Sequence, residues 1–162
     1  MKIVIVSDTH MPRKGRELPR TLQKDLLESH LIIHGGDFQT LDVYKEFARY
    51  GELIAVAGNV DSDELQSLLP KKRVFEVKGL KIGVTHGDGV GKTTEKRALE
   101  AFEEDNVDVI IFGHSHIPFL RFMKGVLLFN PGSPTDKRKL PYYSHGILMI
   151  EDTWKIEHKF YT

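Results

Sequence analysis

The sequence predicts an α/β fold in which parallel strands and helices come first and antiparallel hairpins follow. Two patterns carry this reading. Up to Pro70, short apolar runs rich in Ile and Val alternate with segments of helical spacing. Beyond Pro70, most strand-like runs come in pairs, joined at Lys-Gly or Asp-Thr turns. Two sheets packed together with helices outside accommodate both halves. A third pattern concerns chemistry: nearly every apolar run ends at an aspartate, histidine or asparagine next to glycine. No repeat, low-complexity tract or linker interrupts residues 1–162, so one domain is expected.

Each element has its own signal. Residues 2–7, with β-branched side chains from Ile3 to Val6, predict a first strand. Leu18, Leu22, Leu26 and Leu27 give residues 18–29 helical spacing. Residues 31–34 form a second strand. Leu41 to Tyr50 follows as a helix with Thr40 as N-cap and Gly51 as stop. Residues 53–57 form a third strand. A short helix carrying Leu65, Leu68 and Leu69, capped by Ser62 or Asp61, ends at Pro70. Arg73–Val77 and Leu80–Thr85 pair through Lys78-Gly79. Thr93–Asp105 is a helix with Ala98, Ala101 and Phe102 inward, and Val109–Phe112 is a strand. Leu120–Met123 pairs with Val126–Phe129 through Lys124-Gly125, and Gly146–Glu151 with Trp154–Phe160 through Asp152-Thr153.

Composition narrows the chemistry. A length of 162 residues supports a real core. Lys plus Arg and Asp plus Glu both number 23, so bulk charge attracts neither nucleic acid nor an anionic membrane. Cysteine is absent, which excludes disulfides, thiolate metal sites and a cysteine nucleophile. Any metal must be held by imidazole, carboxylate, amide or water, a set open to Mn, Fe, Ni, Zn or Mg. Met1-Lys2 leads at once into a strand, without a secretory h-region. No run approaches the ~20 apolar residues of a membrane span. A cytoplasmic protein without a membrane partner is expected.

The polar residues at the run ends form a candidate metal-ligand set. Asp8 and His10 are two apart, a spacing that points side chains to one side of an extended chain. His114 and His116 repeat it after Gly113, which permits a sharp exit. Asp37 follows two glycines and offers two oxygens; Asn59 offers an amide oxygen and His86 an imidazole. Singly, each reads as a loop or capping residue. Jointly, seven such groups at strand ends would leave uncompensated charge and unpaired donors without a metal.

In this order, Asp8-Thr9-His10, Gly36-Asp37, Gly58-Asn59-Val60-Asp61, His86-Gly87 and Gly113-His114-Ser115-His116 resemble the calcineurin-like metallophosphoesterase family. Ser7-Asp8-Thr9-His10 and Asn130-Pro131-Gly132-Ser133 look like its small bacterial and archaeal phosphodiesterases of the YfcE type. The resemblance spans essentially the whole chain. It implies a four-layer α/β/β/α sandwich with two mixed β-sheets and two divalent ions, Mn or Ni foremost, with Fe, Zn and Mg also accepted. Asp8, His10, Asp37 and His116 would hold one ion and Asp37, Asn59, His86 and His114 the other, with Asp37 bridging. Asp37, Asn59 and His114 are the expected catalytic members. The implied reaction is hydrolysis of a small-molecule phosphodiester by a hydroxide bridging two cations ~3.5–4 Å apart.

One position departs from the family. Many members carry histidine where this chain has Val60, and that histidine is thought to protonate the leaving group. General acid catalysis is worth ~10²–10⁴-fold. Its absence favours diesters with good leaving groups and counts against a broad alkyl phosphomonoesterase, although the phosphodiesterase branch often lacks it. Phosphomonoesterase, protein phosphatase and nuclease are alternatives on the same site. A non-catalytic scaffold is a third reading, since a retromer subunit resembles this fold with ligand residues lost; this chain keeps its three later ligand histidines. Homo-oligomerisation is left open.

Other residues carry paired readings. Asp61 either orients a ligand or caps the following helix. Asp88 either orients a ligand histidine or sits in a turn. Asn130-Pro131-Gly132-Ser133 either shapes the site floor or makes a tight turn. His34 and His145 either support the site or pack, and His30 and His158 fall outside it. Arg13, Lys14, Arg16, Lys137, Arg138 and Lys139 read as solvated, with a distal phosphate as the other reading. Gly87 to Thr93 fails as a P-loop because His86 stands where the first glycine must be; Thr93 or Thr94 as an N-cap explains it.

Overall fold

The structure, a computed structural model, describes residues 1–162. In chain order the elements are β1 (Lys2–Val6), α1 (Arg20–Leu27), β2 (Leu31–His34), α2 (Leu41–Ala48), β3 (Leu53–Ala55), α3 (Asp63–Leu68), β4 (Lys72–Val77), β5 (Leu80–Thr85), α4 (Thr94–Glu100), β6 (Val109–Ile111), β7 (Phe119–Met123), β8 (Val126–Asn130), β9 (Tyr143–Ile150) and β10 (Trp154–Tyr161). They build two mixed five-stranded sheets, β10-β9-β1-β2-β3 and β4-β5-β6-β8-β7. β1, β2 and β3 run parallel, as do β5, β6 and β8, and each sheet gains antiparallel strands from the hairpins.

Strand parity explains the layering. Ile3, Ile5, Leu31 and Ile33 meet Ile82, Val84, Val109, Ile111, Leu127 and Phe129 between the sheets. Their neighbours Val4, Val6 and Ile32 point the other way, onto Leu22 and Leu26 of α1, Val43 and Phe47 of α2 and Leu65 of α3. On the second sheet Ile110 and Leu128 face outward to Ala98 and Phe102. Successive strand residues alternate faces, so one β-branched run feeds two cores. The result is the four-layer α/β/β/α sandwich.

The structure differs from the sequence reading in places. The fourth helix ends at Glu100, not Asp105, and residues 101–105 continue as turns. Glu103, Glu104 and Asp105 would place negative charge at the negative end of a helix dipole. β9 starts at Tyr143, earlier than Gly146, because its pairing with β10 extends to Tyr143 opposite Tyr161. Leu27 and Leu68 point to solvent. Thr40 and Thr93 stand at N-caps without a side-chain cap bond, whereas Ser62 Oγ accepts from Leu65 N–H at 3.4 Å. Asp61 is therefore not the cap of α3. Lys78-Gly79 and Lys124-Gly125 both have positive φ at each residue, the geometry of a tight type I′ hairpin turn.

A polar cluster fastens α1 to β9 and β10. The buried Asp25 carboxylate accepts from Lys2 Nζ at 2.8 Å, Lys159 Nζ at 2.7 Å and His145 Nε2 at 2.9 Å, and His145 Nδ1 meets Tyr161 Oη at 3.2 Å. His145 thus serves packing, away from the candidate ligands. Burial alone would raise the Asp25 carboxyl, but hydrogen bonds from Lys159, Lys2 and His145 outweigh it and hold it at about 2, below the ordinary 3.8. A depressed carboxyl stabilises the fold above its unfolded value, and that stability is lost as pH falls through the folded value. Asp25→Asn is expected to lower unfolding free energy by about 2–3 kcal/mol at pH 7. In denaturant titrations the gap to wild type should close between pH 4 and pH 2; a gap independent of pH over that range would refute the ionic account.

Candidate metal centre

The candidate ligands lie in loops that follow the C-terminal ends of the parallel strands, the edge where α/β sheets gather ligands. Asp8 and His10 follow β1, Asp37 follows β2, Asn59 follows β3, His86 follows β5, and His114 and His116 follow β6. Backbone bonds carry strand pairing into these loops: Asp8 N–H donates to Gly36 O and His10 N–H to Asp37 O, both at 3.0 Å. A side-chain bond joins the sheets, with His114 N–H donating to Asp8 Oδ1 at 3.2 Å and Oδ2 at 3.0 Å.

The convergence does not arise from extended spacing. Asp8 and His10 have φ of 57° and 45°, and His114 and His116 have 67° and 60°. Asp37 is left-handed as well, at 61°. Such backbone costs about 1–3 kcal/mol per non-glycine residue and clusters at functional sites. Gln39 and Arg138 share it beside the centre, and the other left-handed non-glycine residues are the hairpin lysines Lys78 and Lys124 and Asn106. Gly58 and Gly113 are required by close approach. A Cβ on Gly58 would strike the Asp37 carboxylate and amide, and one on Gly113 would strike Ser7 Oγ and Asp8 Oδ2. Gly113 is thus needed for room beside Asp8, with no left-handed φ of its own.

The side chains assemble as two overlapping groups, Asp8–His10–His116 and Asp8–Asp37–His86, all buried. His10 Nε2 lies 3.2 Å from His116 Nε2, and Asp8 Oδ1 lies 3.8 Å from His10 Nε2 and 3.5 Å from His116 Nε2. Asp37 Oδ2 lies 3.1 Å from His86 Nε2 and 3.6 Å from His10 Nε2, between the two sides. Asp8 Oδ1, 3.8 Å from His86 Nε2, reaches both sides too. Asn59 Oδ1 sits 3.1 Å from both His86 Nε2 and His114 Nδ1. All seven sequence-predicted residues are therefore brought together.

Backbone carbonyls orient two of the imidazoles. His86 Nδ1 donates to Gly35 O, and His116 Nδ1 donates to Asp136 O, each at 2.7 Å. A nitrogen that donates to a carbonyl carries the proton, so each ring turns an unprotonated Nε2 inward when neutral. Burial disfavours charge on His86, but Asp37 and Asp8 outweigh it and raise its pKa to about 9. Burial likewise opposes ionisation of Asp8, yet His10, His86 and His116 hold its pKa at about 2. The chain thus gathers two carboxylates that face imidazoles, with no lysine or arginine bound to either. A divalent cation would take over that compensation and release the His86 proton.

The second layer is more built than the sequence suggested. Asp61 accepts from Asp37 N–H at 3.0 Å, Gln39 N–H at 2.8 Å and Gly58 N–H at 2.7 Å, so its carboxylate shapes both the Asp37 and the Asn59 loops. His34 is buried, stacked on Phe38, and burial pushes it down to about 3. Neutral, it accepts from Gly36 N–H at Nδ1 and donates from Nε2 to Thr9 Oγ1, which donates in turn to Asp37 O. Asn130 Nδ2 donates to Gly113 O and Ser115 Oγ, and Ser133 Oγ donates to Asp8 O, so the Asn130–Ser133 turn also supports the floor. His158 caps that turn, donating to Asn130 O while stacked on Phe129. Asp88 is exposed and makes no hydrogen bond to His86, whose outer nitrogen Gly35 already holds; it reaches His114 only through its charge. Arg138, read as solvated, instead lies against His116, with Nη2 3.2 Å from Nε2.

Residues 1–153 match the family model described as the calcineurin-like phosphoesterase superfamily domain. A probable metallophosphoesterase of Methanocaldococcus jannaschii is 38% identical over 160 residues, covering 98% of this chain and 80% of that protein. A phosphodiesterase of the same organism is 32% identical over 149 residues, 82% of this chain and 83% of that protein. Vps29 of Chaetomium thermophilum superposes with a TM-score of 0.81 at 18% identity, over 99% of this chain and 97% of that one, a likeness of fold. The family model, the relatives and the clustered donors agree that the chain belongs to the calcineurin-like phosphoesterase superfamily.

Proposed function

We propose that this chain is a divalent-metal-dependent phosphodiesterase acting on a small-molecule phosphate diester at a dinuclear centre. The observation that carries it is the donor set: two buried carboxylates facing inward-turned imidazole Nε2 atoms, with no lysine or arginine bound to either carboxylate. These residues fit two cations. Asp8, His10 and His116 would hold one, and Asn59, His86 and His114 the other, with the Asp37 carboxylate shared. An oxygen and nitrogen set suits Mn or Ni and accepts Fe, Zn or Mg. When bound, two such ions supply Lewis-acid activation of water and of phosphoryl oxygens.

The chain's own residues do the rest. Val60 N–H holds Asp37 Oδ1 at 3.0 Å, which leaves Oδ2 to face His10 and His86. Gly35 O and Asp136 O keep His86 and His116 turned inward. Asn59 and His114 stand on the open side, where a phosphate ester enters; Asn59 is exposed and His114 partly so. Val60 is 45% exposed beside them and has no proton to offer a leaving group. Diesters with good leaving groups are therefore preferred, in keeping with the phosphodiesterase relative. No helix is long and apolar enough to cross a membrane. A scaffold of the same fold is less favoured because all seven donors are present.

Hydrolysis of bis-p-nitrophenyl phosphate should appear with added Mn or Ni and vanish on chelation. Absence of chelator-sensitive hydrolysis with every divalent metal tried would sink the assignment. Comparison of kcat/KM across diester, monoester, phosphopeptide and DNA substrates should rank the diester first. Asp37→Asn is expected to reduce kcat/KM by at least ~100-fold and to lower bound metal on both sides; near-normal activity would exclude a shared role for Asp37. Val60→His should raise kcat/KM for alkyl esters by about 10-fold or more, while p-nitrophenyl esters change little, since their leaving groups need no proton.

A further inference from the structure

We infer that Arg138 is a phosphoryl-binding residue of this site, held in place by Asp136; the inference rests on the metal-centre reading above. By sequence Arg138 reads as one of the solvated cations of its loop, and its side chain is 59% exposed. Its guanidinium nevertheless lies along the His116 ring, with Nε 3.4 Å from Nδ1 and Nη2 3.2 Å from Nε2. Nη2 therefore sits beside the atom through which His116 would hold a cation. An imidazole nitrogen has one lone pair. A cation that takes the lone pair of His116 Nε2 leaves the adjacent Arg138 N–H group to find another acceptor. A phosphoryl oxygen of the substrate at the centre supplies one, and the fork of guanidinium donors matches it.

The loop is built to put the guanidinium there. Asp136 Oδ2 lies 3.4 Å from Arg138 Nε and 3.9 Å from Lys14 Nζ. The buried Asp136 carboxylate thus anchors one edge of the guanidinium and leaves the Nη edge toward the centre. The anchor is itself fixed, because Asp136 N–H donates to Ser133 Oγ at 2.8 Å, Ser133 Oγ donates to Asp8 O, and Asp136 O accepts from His116 Nδ1. Arg138 is also one of the few left-handed non-glycine residues, with φ of 53°, a conformation it shares with five of the candidate ligands. Lys137 and Lys139, its neighbours, make no contact with a candidate ligand; Lys137 Nζ reaches Pro141 O instead.

The test uses metal-loaded wild type, Arg138→Ala and Arg138→Lys, with inorganic phosphate as the probe. Isothermal titration should show phosphate Kd rising about 10–100-fold in Arg138→Ala, with a smaller rise in Arg138→Lys, at unchanged metal content by elemental analysis. In Asp136→Asn, phosphate Kd should rise less than in Arg138→Ala. Free guanidinium should restore part of the phosphate affinity of the alanine variant. A phosphate Kd within two-fold of wild type in Arg138→Ala, or a loss of metal in that variant, overturns the inference. So does a metal-loaded wild type that binds no phosphate. The two readings separate: Arg138-dependent phosphate binding in a chain that hydrolyses no ester keeps this assignment and removes the esterase. Hydrolysis untouched by Arg138→Ala does the reverse.

Discussion

The Asp8 carboxylate is the point on which the two halves of the molecule close. It is fully buried at the end of β1, and it accepts the His114 N–H from the loop after β6 in the opposite sheet. A buried carboxylate needs compensation by hydrogen bonds and positive charge. His114 N–H gives part of the first, and His10, His86 and His116 surround it for the second. The packing of sheet on sheet and the gathering of ligands are thus one event. The apolar core between the sheets sets their separation, and Asp8 ties their loop-bearing edges together.

The centre also shows where stability is exchanged for geometry. Five candidate ligands hold left-handed backbone, and two glycines allow loop and carboxylate to approach closely. The surrounding structure offsets this strain with ordered hydrogen bonds. Asp61 gathers three backbone N–H groups from the Asp37 and Asn59 loops. The Gly36–His34–Thr9–Asp37 chain binds the first two loops from beneath. Asn130 binds the loop after β6 and Ser133 the loop after β1. A rigid second layer of this kind is what lets an imidazole keep one tautomer and one direction.

Open and closed sides of the centre differ in chemistry. The His10–His116 side lies under the Asp136–Arg138 loop and is bordered by cations. The Asn59–His114 side faces solvent beside an apolar Val60. On the proposed reading, an anionic ester entering there would meet positive charge on one side and, at Val60, no proton donor. On that reading the polarity favours esters whose leaving groups depart without protonation, and it follows from residues outside the candidate ligand set.

Much of this was legible in the chain itself. Ile and Val runs announced the strands, and parity along each run announced two apolar faces. Lys78-Gly79 and Lys124-Gly125 announced tight hairpins, and the ordered Asp, His and Asn blocks announced the candidate ligands and the family. Local signals suffice for these because propensity, turn chemistry and short motifs act over a few residues. They failed where long-range pairing decides: the start of β9 depends on β10, and the outward turn of Leu27 and Leu68 on which face each helix buries. For the support of the site they left two readings open at Asp61 and at the Asn130–Ser133 turn, and none singled out Arg138. Nothing near Asp61 in sequence says that its oxygens meet Asp37 and Gln39. Nothing near Arg138 says that its guanidinium rests on His116, 22 residues away. By itself, the sequence determined the fold class, the family and the candidate ligand set, whose signals lie in short motifs. Only the tertiary structure decided how left-handed loops bring those ligands together, which carbonyls orient the imidazoles and which cation borders the centre. Those outcomes depend on packing between segments far apart in the chain.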